Sequence, residues 1–240
     1  MADKLFCSAD RPSWAAPIAH WAVWDTCTQS AGAPSSAELG FVEPMLRRRL
    51  SPLARMSLKV AHECAGDLPA VRFVYASRHG ELPRTTAMLD DLAAGEALSP
   101  TAFSLSVLNA SAGLFSILRR DTAPATAVSA AGESFGYGLL EACMQLAEQP
   151  QLPVLFVYAD EPAPEVYGRC EPRDTPAHAI ALLLQHDAST IIDCSCSPNE
   201  ALVASDETQS RAFLRCMAPA HTPTRWQGPG KSWSWERQGV

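Results

Sequence analysis

Over residues 125–142, reading ATAVSAAGESFGYGLLEA, the hydrophobic period changes in mid-course. Residues 125–130 form an apolar strand, a turn of small residues follows, and a helix over 134–148 carries Leu139, Leu140, Cys143 and Leu146 on its buried side. Apolar residues 153–158 then predict a second strand. Strand, helix and strand with short joins make a βαβ crossover, so the two strands are expected parallel and covered on both faces.

The flanking pattern is read the same way. Ser51-Pro52 is a helix start, a capping hydroxyl before a proline at the first helical position; Leu53, Met56, Val60 and Cys64 recur at helical spacing, and Gly66 is the stop. Val71, Phe73 and Tyr75 alternate in a strand that empties into the polar loop Arg78-His79-Gly80-Glu81. A helix over 86–94 closed by Gly95, a helical turn opened by Ser99-Pro100 and a helix over 110–120 precede the 125–130 strand. Downstream, a loop over 162–176 rich in proline and charge leads to strands at 179–185 and 190–194, which extend the same sheet, and a helix over 208–217. Residues 1–50 read as aromatic and turn residues, with Trp14, Trp21 and Trp24, and the end of the chain reads as a Pro, Gly and Trp tail. No internal repeat or low-complexity linker interrupts the chain, so residues 1–240 are expected to form one domain with a C-terminal extension from about residue 197.

A strand running through a sharp turn into a helix is the geometry of a nucleophile elbow, which holds one side chain above the sheet beside the unpaired N–H groups of the helix's first turn. Gly132-Glu133-Ser134-Phe135-Gly136 matches G-x-S-x-G, so Ser134 is one candidate nucleophile. Such a hydrolase needs an acid and a histidine later in the chain; Asp160, Asp174, His178, His186 and His221 offer them in the Ser, Asp, His order, with Asp174 and His221 the least implausible pair.

Composition narrows the classes. With 47% hydrophobic and 19% charged residues the chain is an ordinary globular protein. A net charge of −7 leaves no surplus of Lys and Arg to neutralise phosphates, against nucleic-acid binding. No apolar run approaches the roughly 20 residues of a membrane helix, and residues 1–14 lack the form of a signal peptide, so a soluble cytoplasmic protein is expected. Of the eight cysteines only Cys194 and Cys196 are close, with no second pair at zinc spacing. Neither metal nor other cofactor is expected, and the thiols read as reduced, mostly buried side chains.

Taken with its flanks, the elbow resembles the nucleophile turn of a β-ketoacyl synthase with the cysteine missing. The resemblance is carried by Asn109-Ala110-Ser111-Ala112-Gly113, the helix that follows, Pro124, and the 125–130 strand. Registered without gaps, Gly132 falls at the reactive cysteine, with Glu133 next to it. Glycine has no side chain with which to attack a thioester. The family's histidine loops, H-G-T-G-T and G-H-x-x-G-A, occur nowhere among the six histidines. At 240 residues the chain is also too short for a complete ketosynthase, which has two thiolase-like halves. A half-length chain lacking the cysteine and both histidines resembles the short β-ketoacyl synthase chain length factors of aryl polyene and xanthomonadin-type systems.

That resemblance implies a thiolase-like α/β fold, a layered mixed sheet between helices truncated to about the N-terminal half of a ketosynthase. It implies a non-catalytic subunit that pairs with a full ketosynthase as a heterodimer and shapes the acyl pocket during chain elongation on an acyl carrier protein. Gly132, Glu133 and Phe135 would line the substrate pocket, and Glu133 alternatively mimics a decarboxylated site, a role a Gln plays in related subunits. The partner would meet Asn109, Ser111, Gly113, Ala125, Ala127 and Ser129, where small side chains let backbones approach. The acidic carrier would meet Arg47, Arg48, Arg49, Arg55 and Lys59, or Arg119 and Arg120. Two other classes stay open: a serine hydrolase acting through Ser134, and a free-standing binding or scaffold protein using the 78–81 loop.

Overall fold

The structure, a computed structural model, describes residues 12–25, 38–168, 176–198, 205–218 and 222–239. Eight strands form one sheet: β1 (Ser13–Asp25), β2 (Arg72–Ala76), β3 (Ala125–Val128), β4 (Val154–Asp160), β5 (His178–Leu184), β6 (Thr190–Pro198), β7 (Thr224–Gly228) and β8 (Lys231–Arg237). Their spatial order is β3-β2-β4-β5-β1-β6-β8-β7. β2 lies between β3 and β4 and pairs parallel with both, while every pair from β4 outward to β7 is antiparallel. The helices are α1 (Pro44–Arg47), α2 (Pro52–Ala65), α3 (Leu82–Ala93), α4 (Pro100–Ser104), α5 (Ala110–Arg119), α6 (Ser134–Glu148) and α7 (Gln209–Met217).

Strand alternation sorts side chains onto two faces. Val154, Phe156 and Tyr158 of β4 join the core beneath α6 and α7; Leu155, Val157 and Ala159 join the core beneath α2 and α5. All seven residues of β4 and of β5 are buried, as expected of strands covered on both faces. The expectation of full cover fails for β3. β3 is the edge of the sheet rather than β4's neighbour, and none of its residues is fully buried.

Local chemistry accounts for the helices. The hydroxyl of Ser51 accepts from Ala54 N at 3.0 Å and caps α2, and Gly66 ends it at φ 51°. The α6 backbone passes close to the sheet because it must: a Cβ on Gly138 would lie 2.6 Å from Phe156 and 2.7 Å from Ala76 Cβ.

Several boundaries differ from the sequence reading, and three of the differences bear on the fold. α3 begins at Leu82 rather than at 86, because Pro83 sets up its first turn. β1 runs for 13 residues through a segment read as turns. The Pro, Gly and Trp tail is the β7–β8 hairpin, whose Trp226, Trp233 and Trp235 pack into the core under α6.

Candidate functional site

The elbow is present. β3 ends at Val128, a short 3-10 turn covers Ala131–Glu133, and α6 starts at Ser134. Ala131 has φ 48°, the left-handed region, which costs a residue with a Cβ about 1–2 kcal/mol. Gly132, which the sequence pattern sets at the reactive cysteine as an expectation, is exposed and has no positive φ; a Cβ there would sit 3.8 Å from the Trp226 ring, an ordinary contact. The backbone and the space would accept a side chain at 132, so the turn itself does not require glycine there.

Ser134 does not present a nucleophile. It is 0% exposed, its hydroxyl donates to Ala131 O at 2.7 Å, and its oxygen accepts from Ala130 N at 2.8 Å. Neither partner is a base, and a serine nucleophile needs both access and a base within hydrogen-bond reach. Ser134→Ala is expected to lower stability by about 1–2 kcal/mol in urea unfolding, through the orphaned Ala130 N–H. An alkyl fluorophosphonate probe is expected to leave Ser134 unlabelled.

Two of the proposed hydrolase partners, Asp160 and His178, are engaged elsewhere. Asp160 pairs with Arg78 at 2.9 Å. Nδ1–H of His178 donates to Pro176 O at 3.0 Å and its Nε2 meets the Ser210 hydroxyl at 2.8 Å; burial holds its pKa below the ordinary value. His186 is exposed just past β5, and Asp174 and His221 lie outside the described residues.

Glu133 accepts from the indole N–H of Trp233 at 3.1 Å, tying the turn to β8. Phe135, expected at the substrate pocket, is instead core: it packs against Phe156, Tyr158, Phe213 and Trp235. The N–H of Gly136 donates to Gln209 Oε1 at 2.8 Å, so α7 fills one orphan position of the α6 amino end.

Of the expected interface residues, Ser111 is a correction: it is buried in the protein's own core, on the α5 face turned to the sheet. Asn109, Gly113, Ala125 and Ser129 are exposed and Ala127 half-buried. Ser129 donates to Arg78 O at 3.2 Å, which fixes the end of β3 to the loop after β2.

Several of the basic residues hold the fold. Arg55 donates to the carbonyls of Leu50 and Arg47, Lys59 pairs with Glu63, and Arg119 donates to those of Gly66 and Leu68. Arg48, Arg49 and Arg120 are exposed.

The 78–81 loop is a buried polar corner and not a solvated one. Glu81, 5% exposed, accepts the Ser51 hydroxyl at 2.6 Å and pairs with Arg84. Beside the Arg78–Asp160 pair, Glu161 has its pKa pushed up to about 7, by burial first and then by the charges of Glu81 and Asp160. The folded state therefore keeps a proton on Glu161 between 4.5 and about 7 that the unfolded chain releases. Stability is expected to fall as pH rises through that window, and Glu161→Gln to flatten that part of the profile of urea midpoint against pH. The sequence showed the loop but not its ion pair, since Asp160 reaches it from a strand read as ending at 158.

Among the described residues no group of three or more His, Cys, Asp or Glu is placed to hold a metal, and no helix is long and apolar enough to cross a membrane. Cys64, Cys143, Cys194 and Cys216 are buried free thiols and Cys196 is half-buried; Cys7, Cys27 and Cys170 lie outside the described residues.

A parallel β2/β3/β4 core, an elbow into a buried helix and antiparallel strands beyond are the layered mixed sheet of a thiolase-like fold, and residues 21–236 match the model of the β-ketoacyl synthase N-terminal domain. The chain belongs to that family. It is similar to a chain of the complex of the ketosynthase ApeO with its chain length factor ApeC from Xenorhabdus doucetiae, at 26% identity and a TM-score of 0.77, covering 92% of this chain and 99% of that one. The ishigamide ketosynthase/chain length factor shares the fold at 14% identity and a TM-score of 0.57, over 73% of this chain and 65% of that one. A β-ketoacyl synthase from Burkholderia phymatum STM815 does so at 15% identity and 0.55, over 84% of this chain and 62% of that one. No curated protein sequence matches the chain.

Proposed function

We propose that the chain is a chain length factor: a subunit without catalytic residues of its own that pairs with a complete ketosynthase and shapes the pocket for a growing acyl chain. The observation that carries this reading is an elbow kept in strained geometry at Ala131 while Gly132 offers no nucleophile and Ser134 is sealed beneath it. Such a turn has no covalent chemistry to perform. A second support is the likeness, at 26% identity and over 99% of that chain, to a chain of a complex named for a ketosynthase and its chain length factor.

In this reading the partner lies along β3. Its outer side pairs with no other strand among the described residues, and Asn109, Gly113, Ala125, Ala127 and Ser129 are accessible beside it. The substrate is an acyl chain on an acyl carrier protein in a polyene-type system, with Gly132 and Glu133 facing the pocket. The exposed Arg48 and Arg49 suit the acidic carrier, and the setting is the cytoplasm. The whole chain acts as one synthase-like domain whose extension from about residue 197 lays Trp226 and Trp233 against α6 and its turn.

The test is co-expression with a full-length ketosynthase of the same organism, then size-exclusion chromatography and an elongation assay with carrier protein and malonyl units. A one-to-one complex, active only with both chains and still active with Ser134→Ala, is the expected result. No complex, together with ester hydrolysis by the lone chain that Ser134→Ala abolishes, would overturn the reading.

A further inference from the structure

Beside Trp233 is a cavity of about 400 Å³, within the range of sites that hold small organic ligands. Trp14, Tyr137, Leu140, Cys196, Lys231 and Trp233 are among its lining residues, and none of the lining residues is acidic. Its walls come from four parts of the fold: the start of β1, the first two turns of α6, the end of β6 and the start of β8. Aromatic contacts stiffen them. Trp233 meets Trp14 edge-on at 6.0 Å and Tyr137 edge-on at 5.0 Å.

One cation stands in this apolar setting. The ammonium of Lys231 donates to the Tyr137 hydroxyl and lies 4.8 Å from the centre of that ring. An ammonium has three protons to donate, so two remain for a ligand, and the tyrosine hydroxyl orients the third. The bond to Tyr137 also raises the lysine pKa, which keeps the group charged. Glu133 is the nearby acid, and its carboxylate is held by the Trp233 N–H.

We propose that this cavity binds a carboxylate carried on an apolar chain, with the carboxylate at Lys231 and Tyr137 and the chain against Trp14, Leu140 and Trp233. The charge fixes the head, since a lone lysine among apolar walls favours an anion over a neutral or cationic end. The walls fix the body, since they offer aromatic and aliphatic surface with few polar groups. The site belongs to the chain by itself and asks nothing of a ketosynthase.

Isothermal titration of the purified chain with octanoate, 1-octanol and octylammonium tests it. Octanoate is expected to bind tightest. Lys231→Met is expected to weaken octanoate about fivefold and to leave octanol unchanged. Leu140→Trp, which fills the cavity from α6, is expected to weaken octanoate and octanol alike, with thermal unfolding confirming that each variant is folded. No heat from octanoate at millimolar concentration, or equal affinity for octanoate and octylammonium, would overturn the proposal, whatever the result of the ketosynthase pairing test.

Discussion

Arg72→Met is expected to destabilise the chain by about 3–5 kcal/mol, a third or more of the total stability of a typical domain. Arg72 opens β2 and is only 4% exposed. Its guanidinium donates to the carbonyls of Gln145 at 2.5 Å, Gln149 at 2.9 Å and Leu152 at 2.7 Å. The last four carbonyls of a helix have no partner within it. One side chain from the sheet therefore closes the carboxyl end of α6 and the turn into β4, and a positive charge at that end also opposes the helix dipole. Methionine keeps the apolar stem and removes every donor, so the loss reads the hydrogen bonds and the charge rather than a cavity. Arg72→Lys is expected to recover only part of it, because one ammonium cannot span three acceptors in the fork geometry of a guanidinium. Urea unfolding would show the lower midpoint at unchanged slope. A loss under about 1 kcal/mol would mean that water replaces the guanidinium freely.

What the sequence discloses and what it hides follow from where each signal lives. α6 was legible to the residue, because its hydrophobic side is continuous and the small residues before it break the strand period. α2 was equally plain from Ser51, Pro52 and Gly66. β1 was not, for two physical reasons. Pro17 stands mid-strand where a proline argues against a strand, and an irregular register between Ile18 and His20 breaks the two-residue alternation. The β7–β8 hairpin carried a usable signal in Ser232-Trp233-Ser234-Trp235 after Gly228-Pro229-Gly230, an alternation bounded by turn residues. At the elbow, the strand, turn and helix were legible from the change of period, but the sealing of Ser134 was not, since G-x-S-x-G says nothing about which way the hydroxyl points. Ser111 failed for a related reason: a small residue on α5 permits close approach to the protein's own sheet as readily as to a partner.

Ala127→Pro is expected to weaken pairing with a ketosynthase at least tenfold while lowering the stability of the isolated chain by about 1 kcal/mol or less. Phe73 N donates to Pro124 O at 3.0 Å and Ser77 N to Val128 O at 3.3 Å. In a parallel pair the bonds alternate along the strand, so the even-numbered residues of β3 bond β2, and the N–H groups of Ala125 and Ala127 face the open side. Proline at 127 removes one outward donor and places a ring where a partner strand would lie, yet leaves the ladder to β2 intact. Thr126→Pro is the contrasting variant, since it removes an inward donor and is expected to damage the fold as well as the pairing. Size-exclusion chromatography of each variant with the ketosynthase, beside urea unfolding of the chain alone, separates the two effects. If Ala127→Pro pairs as the unaltered chain does, the partner does not lie along β3, and the exposed face of α5 around Gly113 and Ile117 becomes the surface to substitute next.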